Sequence, residues 1–168
     1  MKYLFSLIVV CLTASINAQS WTLVQLKNDF IIKMPCEPKI QQIDPSRKSY
    51  GCAIGNCTFS VLESHISKER LPENSGDEQR ILSLVSGVEK AKLNNTFVSE
   101  ANFKVGTISG LEVIKFTQHP TSEIASKMIS RSFFTKDVLY QVTCLYYNGE
   151  DSACDKNRKI FFNSLTRK

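Results

Sequence analysis

The sequence predicts an α+β protein in which an antiparallel β-sheet carries helices packed on it. Three observations predict this class. Runs rich in β-branched and aromatic residues recur along the chain, short turn signals separate them, and only two segments have helical spacing. Strands joined by tight turns pair antiparallel, and the helices of such proteins cover the sheet. No repeat, linker or low-complexity tract divides the chain, so we expect one folded domain.

In the first half of the chain, the strand signals come in pairs. Residues 21–33 predict two short strands around Lys27-Asn28-Asp29, and a polar segment containing prolines follows. Residues 47–53 and 57–66 then predict a hairpin around the turn signal Gly55-Asn56.

A helix signal opens the second half. Ser75 can cap a helix that ends at Asn94-Asn95. Its apolar residues follow helical spacing and are Ile81, Leu84, Val85 and Val88. Three strands are predicted next, at 96–103, 105–108 and 111–118, with a turn at Ser109-Gly110 between the last two.

The clearest hairpin and a second helix complete the domain. Residues 127–135 and 138–146 alternate in polarity and turn at Lys136-Asp137. Asp151 or Ser152 then caps a final helix that carries Ile160, Phe161 and Leu165.

The N-terminal segment predicts a cleaved secretory signal peptide. A charge at Lys2 precedes an almost unbroken apolar run over residues 3–12, and small residues lead to a cleavage site after Ala18. A transmembrane anchor needs about 20 apolar residues, so this run is too short to be one. We expect residues 1–18 to be a signal peptide and residues 19–168 to be a single α+β domain, secreted or periplasmic and without a transmembrane anchor.

Lipidation at Cys11 is a weaker alternative for this segment, because bulky Val10 precedes the cysteine where a small residue is expected.

Removing the signal peptide leaves five cysteines: Cys36, Cys52, Cys57, Cys144 and Cys154. Exported chains meet oxidising conditions, which favour disulfides.

The disulfides we expect are local. Cys52 and Cys57 bracket a turn signal, and a second turn signal lies between Cys144 and Cys154. We therefore expect pairs 52–57 and 144–154, with Cys36 as the free thiol. A metal site is disfavoured because the cysteine spacings do not match zinc motifs. Cys36 has no neighbouring base or helix start that would activate it as a nucleophile.

No strong catalytic motif is present. The sequence has no serine-hydrolase elbow, no phosphate-binding glycine loop and no paired metal-binding histidines. His65 and His119 stand alone. The formal net charge of +5 is modest and its acids and bases are interleaved, so the charge says little about nucleic-acid or acidic partners, and we expect no nucleic-acid partner. We expect no catalytic, cofactor-binding or metal-binding residues.

Four segments together resemble a known family. They are residues 29–38, 106–113, 130–142 and 161–165. In this order they are similar to small exported bacterial proteins of the PsbP-like type, which share F-x-V-x-F-P-x-x-P, G-x-x-G-x-E, R-x-F with L-Y-x-L/V, and a closing F-F-x-S-F helix. The resemblance spans nearly all of residues 19–168.

The resemblance implies a fold and a class of function. The fold is an antiparallel sheet between helices (an α-β-α sandwich), as in the extrinsic subunit of photosystem II and the Ran-binding Mog-type proteins. It implies that Gly110 and Glu112 form a tight turn and strand start, and that Phe162, Ser164 and Leu165 dock the last helix. Relatives with known roles bind protein partners and are not enzymes.

We therefore expect an exported, non-enzymatic binding or accessory domain with an unknown protein or small-molecule partner in the envelope or outside the cell. Two alternatives are an uncharacterised, hydrolase-like enzyme that uses His65 or His119, and a thiol- or metal-responsive envelope protein that uses Cys36.

Overall fold

The structure, a computed structural model, describes residues 20–67, 82, 85, 87, 95–118, 125–147 and 152–168. The predicted signal peptide, the cap and most of the predicted first helix, and His119 lie outside the described residues.

The described residues contain ten strands and one continuous α-helix. The strands are β1 (Thr22–Gln25), β2 (Phe30–Met34), β3 (Lys39–Asp44), β4 (Arg47–Ile54), β5 (Cys57–His65), β6 (Asn95–Val105), β7 (Ile108–Gln118), β8 (Ala125–Thr135), β9 (Val138–Tyr146) and β10 (Thr166–Arg167), and the helix is α1 (Ser152–Asn163). The α+β class is confirmed, with more strand and less helix described than we expected.

Seven strands form one antiparallel sheet in the order β3-β4-β5-β9-β8-β7-β6. The strands β1, β2 and β10 form a second, smaller sheet. Neighbouring strands of the main sheet are joined by two-residue turns at Gly55-Asn56, Gly106-Thr107 and Lys136-Asp137. Two of the three predicted hairpin positions, at residues 55–56 and 136–137, are confirmed.

One face of the main sheet, which we call the helix face, holds the larger core. Helix α1 buries Cys154, Asn157 and Phe161, which lie on one side of the helix. The Phe161 ring packs edge-on against Phe59 of β5 at 5.3 Å between centroids. The small sheet also packs on this face, because Phe30 of β2 lies 5.1 Å from Phe133 and 5.2 Å from Tyr140 between ring centroids.

The opposite face holds a second, smaller core. Leu111, Val113, Phe134 and Leu139 of the sheet pack there with Leu82. Leu82, Val85 and Gly87 are helical, so this part of the predicted first helix is confirmed where the structure describes it.

The end of α1 docks as the family resemblance implies. Phe162 and Leu165 are buried, and the Ser164 hydroxyl accepts a hydrogen bond from the Lys33 backbone N–H at 2.8 Å. Leu165 follows the helix, however, since α1 ends at Asn163 and β10 begins at Thr166.

The predicted turn at Ser109-Gly110 was wrong. Gly110 lies inside β7 opposite Phe103, and Glu112 is also inside this strand. The turn is instead at Gly106, whose φ of 60° favours glycine. Gly110 is required for a steric reason, because a Cβ there would overlap the Phe103 ring and lie 2.8 Å from the Ser132 carbonyl oxygen.

Strand β3 was not predicted, because its sequence Lys-Ile-Gln-Gln-Ile-Asp has a polar composition. An edge strand needs only one hydrogen-bonded neighbour and need not bury a complete face, so weak sequence patterning suffices. Pairing with β4 runs from Lys39 opposite Gly51 to Asp44 opposite Arg47, with an irregularity between Gln42 and Asp44.

The predicted disulfide pairs were also wrong. Cys36 bonds to Cys52, and Cys57 bonds to Cys154, each with 5.9 Å between Cα atoms. Cys36 is therefore not the free thiol. Among the described cysteines Cys144 is free, and it is buried.

Sheet register explains why the local pairs do not form. The hairpin turn is only two residues long, so Cys57 lies opposite Ile54 and Cys52 lies opposite Phe59. Cys144 sits opposite Phe59 on β9, whereas Cys57 lies opposite Tyr146, next to the start of α1. Helix α1 therefore carries Cys154 onto Cys57.

No helix among the described residues is long and apolar enough to cross a membrane.

Candidate functional site

A groove lies beside strand β4 at the point where the chain enters β3. It has a volume of about 640 Å³. Its lining comprises Cys36, Glu37, Lys39, Gln41, Ser49, Gly51, Cys52, Ala53 and Thr58. We call it the β4 groove.

The groove exists because β4 is longer than its pairing with β3. The last paired residues are Lys39 and Gly51, so Cys52, Ala53 and Ile54 have no β3 partner. The chain preceding β3 crosses this stretch, where Cys36 is tied to Cys52. The Cys36 sulfur lies 3.6 Å from the Ala53 carbonyl oxygen. The disulfide therefore fixes one wall of the groove.

Small residues form the floor. Ser49, Gly51 and Ala53 alternate along β4 on the face opposite α1, and Thr58 lies opposite Ala53 on β5. A Cβ built on Gly51 meets no atom within 4 Å. The absence of large side chains leaves backbone within reach of a bound group, which is the usual role of small residues beside a ligand.

The rim is polar and carries both charges. Lys39 and Gln41 project from β3 and are exposed. Glu37 lies across from them, where its carboxylate accepts a hydrogen bond from the Thr22 hydroxyl at 3.1 Å. The groove thus offers a small-residue floor with polar groups around it, which suits binding rather than proton transfer.

A second concavity lies at the other end of β3. It has a volume of about 600 Å³ and is lined by Asp44, Ser46, Arg47, Ser64, His65, Ile66 and Ser67. We call it the His65 pocket. Hydrogen bonds from Ser46 and Arg47 hold the pKa of Asp44 at about 2, so this carboxylate is ionised at neutral pH.

His65 is the predicted candidate base that the structure describes. It ends β5, and its Nδ1 lies 3.0 Å from a carboxylate oxygen of Asp137 in the β8–β9 turn. Both side chains are more than two-fifths exposed. The nearby Ser46 hydroxyl donates to Asp44 at 2.7 Å and not to the histidine. The described contacts therefore supply a His–Asp pair without a nucleophile bonded to it.

The cysteines offer no reactive thiol at either concavity. Cys36 and Cys52 are joined to each other in the groove wall. Burial raises the pKa of the free Cys144 to about 12, which keeps it a thiol at neutral pH. Within the described ranges, no group of three or more His, Cys, Asp or Glu side chains could hold a metal ion.

Sequence reasoning identified Cys52 and His65 as residues of interest but missed the groove itself. Lys39, Gln41, Ser49 and Ala53 are ordinary surface residues in sequence, and only the sheet register brings them together. The one usable signal was Gly51, a glycine within an apolar strand pattern, which often marks a close backbone approach.

Comparison by sequence finds no match, since neither a protein-family model nor a curated protein matches the chain. Comparison of structures finds similar folds, among them three whose alignment covers nearly the whole of the other chain. The Pseudomonas aeruginosa protein PA94, described as a candidate regulator of unknown function, has a TM-score of 0.55 at 11% identity and covers 88% of this chain and 97% of its own.

The other two carry the names that the sequence motifs imply. Cyanobacterial PsbP (CyanoP) from Synechocystis has a TM-score of 0.53 at 9% identity, covering 92% of this chain and 96% of its own. The Saccharomyces cerevisiae Ran-binding protein Mog1p has a TM-score of 0.52 at 7% identity, covering 89% and 96%. At these identities the likeness concerns the fold alone. The chain therefore has a fold similar to that of PsbP and Mog1, as its sequence motifs predict.

Proposed function

We propose that residues 19–168 form an exported, non-enzymatic domain that binds a protein partner at the β4 groove. The observation that carries this proposal is the groove itself, a concavity of about 640 Å³ with a small-residue floor and a wall fixed by a disulfide.

A protein partner suits the groove better than a small molecule does. Small-molecule sites usually enclose most of the ligand surface. Here Lys39, Gln41 and Ala53 are exposed and the groove opens at the sheet edge. An open groove with polar groups around small residues can receive a loop or extended segment of another protein. A Ran-binding protein is among the proteins with a similar fold, which adds support for this class of function.

Export is supported by two features. The N-terminal pattern is typical of a signal peptide cleaved after Ala18. Two disulfides join described cysteines, and such bonds persist mainly in oxidising compartments. We therefore propose a secreted or periplasmic location.

Photo-crosslinking from inside the groove tests the proposal. A benzoylphenylalanine in place of exposed Ala53 should capture a defined partner in cells, whereas the same probe in place of exposed Ala101 on β6 should not. Equal capture of the same protein from both positions would contradict the groove as the binding site.

One observation favours a second candidate, a hydrolase that uses His65. Its carboxylate-oriented histidine lies beside a pocket of about 600 Å³. A hydrolytic activity of the purified protein that His65→Ala abolishes and Asp137→Asn reduces would support this alternative over the binding domain.

A further inference from the structure

Strand β3 is an open edge of the main sheet. It is the first strand in the sheet order, and no strand among the described residues pairs with its outer side. It also carries two exposed hydrophobic side chains, Ile40 at 60% and Ile43 at 45% exposure. Such an edge is a template for pairing with another chain.

The strand is complementary to itself when it runs antiparallel to a copy. It begins with a cation, Lys39, and ends with an anion, Asp44. Between them lie two isoleucines and two glutamines and no other charge. In an antiparallel pair of two copies, the cation of each strand therefore meets the anion of the other.

The irregularity at Ile43 makes this register possible. Two strands related by a two-fold axis keep the same faces, so residues placed opposite each other must project from the same face. Lys39 pairs with Gly51 and Asp44 pairs with Arg47, and both positions belong to the face opposite α1. Without the extra residue, the alternation of side chains would place Asp44 on the other face.

Bulges often discourage edge pairing by twisting the strand. Here the bulge has a second effect, because it takes Ile43 out of the pairing and leaves five paired positions on β3: Lys39, Ile40, Gln41, Gln42 and Asp44. Since five is an odd number, one of these positions is at the centre of the strand. Gln41 lies at the centre and pairs with itself, while Ile40 meets Gln42 of the other copy on the helix face.

We propose that β3 pairs antiparallel with β3 of a second copy of this chain, with Lys39 of each copy opposite Asp44 of the other. The two main sheets then form one continuous sheet across a two-fold axis through Gln41. The pairing uses the outer backbone groups of β3 and covers part of Ile40 and Ile43.

The carboxylate of Asp44 has the capacity for this contact. One of its oxygens accepts from Arg47 Nε at 2.6 Å, and the other accepts from Ser46. A carboxylate has about four acceptor positions, so an ammonium group can be added to those bonds.

The pairing also joins the two grooves, which goes beyond the function proposed above. Gln41 lines the β4 groove and lies on the two-fold axis, and both grooves open on the face opposite α1. The second copy therefore contributes its Lys39 and Gln41 to a shared concavity that spans the dimer.

Complementary charge reversals in the mature chain test the proposal. Lys39→Glu places two like-charged pairs in its own dimer, and so does Asp44→Lys. Each variant alone should dimerise at least about tenfold more weakly than wild type, since opposed like charges are destabilising. An equimolar mixture should recover the dimer, because both pairs are then oppositely charged. Lys104→Glu, on the exposed surface of edge strand β6, is the matched control and should leave the dimer unchanged.

Sedimentation velocity over a concentration series measures these outcomes, with circular dichroism to compare folding of the variants. A wild-type dimer, two weakened single variants and a recovered mixture would support the proposal. A wild-type chain that stays monomeric throughout the series would overturn it. So would single variants that dimerise like wild type, or a mixture no stronger than its components.

Discussion

The residue that best shows how this fold uses polar side chains is Tyr146. It is 2% exposed at the end of β9, and its hydroxyl donates to Asp155 of α1 at 2.8 Å. Burial raises the pKa of the Tyr146 hydroxyl, and the same hydrogen bond lowers the pKa of Asp155. Arg158 lies 3.2 Å from the Asp155 carboxylate and lowers its pKa further. The tyrosine thereby satisfies its buried hydroxyl while fastening the first turn of α1 to the sheet.

The sign of the resulting pH dependence follows from the lowered pKa. Asp155 stabilises the folded state as a carboxylate at pH values above its ordinary pKa of 3.8. This contribution is lost as the pH falls through the folded-state pKa. Tyr146→Phe should raise the pKa of Asp155 towards 3.8, as measured by carboxyl-carbon NMR titration, and should make the loss of stability on acidification smaller.

Tyr147→Phe is the matched control for this titration. Tyr147 is 40% exposed, and its hydroxyl accepts from Thr58 on the other side of the strand end. Its removal should leave the Asp155 titration unchanged. An unchanged pKa of Asp155 in Tyr146→Phe would show that the hydrogen bond does not govern this carboxylate.

At the scale of elements, the two disulfides stabilise different parts of the fold. Cys36–Cys52 closes a separation of 16 residues and fixes the entry to β3, whereas Cys57–Cys154 closes 97 residues and holds α1 on the sheet. In the chain-entropy description, a disulfide that closes a loop of about 15 residues stabilises the folded state by about 3 kcal/mol. One that closes a loop of about 100 residues stabilises it by about 4.7 kcal/mol.

Removing the long-range disulfide should therefore destabilise the protein more. Denaturant unfolding should show that Cys57→Ser/Cys154→Ser lowers the free energy of unfolding by about 1–2 kcal/mol more than Cys36→Ser/Cys52→Ser does. Peptide mapping under non-reducing conditions should find the two bonds and a free thiol at Cys144. A bond between Cys52 and Cys57, or between Cys144 and Cys154, would contradict the structure.

Elements with strong local patterning could be predicted from sequence, and those that depend on register could not. The β8–β9 hairpin was predicted because alternation and turn signals agree there. Strand β3 was missed because an exposed edge strand has no apolar face to reveal it. Gly110 suggested a turn, yet its role is the close approach of Phe103 from the neighbouring strand.

The site depended still more on long-range structure. The disulfide pairs were mispredicted because adjacency in sequence favours short loops, whereas helix α1 returns Cys154 to Cys57 after 97 residues. The β4 groove arises because the last three residues of β4 extend beyond its pairing with β3. Gly51 is the one local sequence signal for the groove, and the long-range disulfide has none.

At the scale of the whole molecule, both faces of the main sheet pack against other described elements, and no strand among the described residues pairs with the outer side of β3. Helix α1 and the small sheet cover the helix face, and Leu82 contributes to the smaller core on the opposite face. The β4 groove and the exposed isoleucines Ile40 and Ile43 lie at this open end of the sheet. Binding is therefore expected at the part of the molecule that its own elements leave accessible.

Filling the groove is the most direct test of that expectation. Once crosslinking has identified the partner, its affinity can be measured by titration calorimetry for wild type, Ala53→Trp and the control Ala101→Trp. Both alanines are exposed on strands, so either tryptophan should leave the fold intact. We predict that Ala53→Trp weakens binding about tenfold or more, equivalent to about 1.4 kcal/mol, and that Ala101→Trp does not. Equal affinities for all three proteins would contradict binding in the β4 groove.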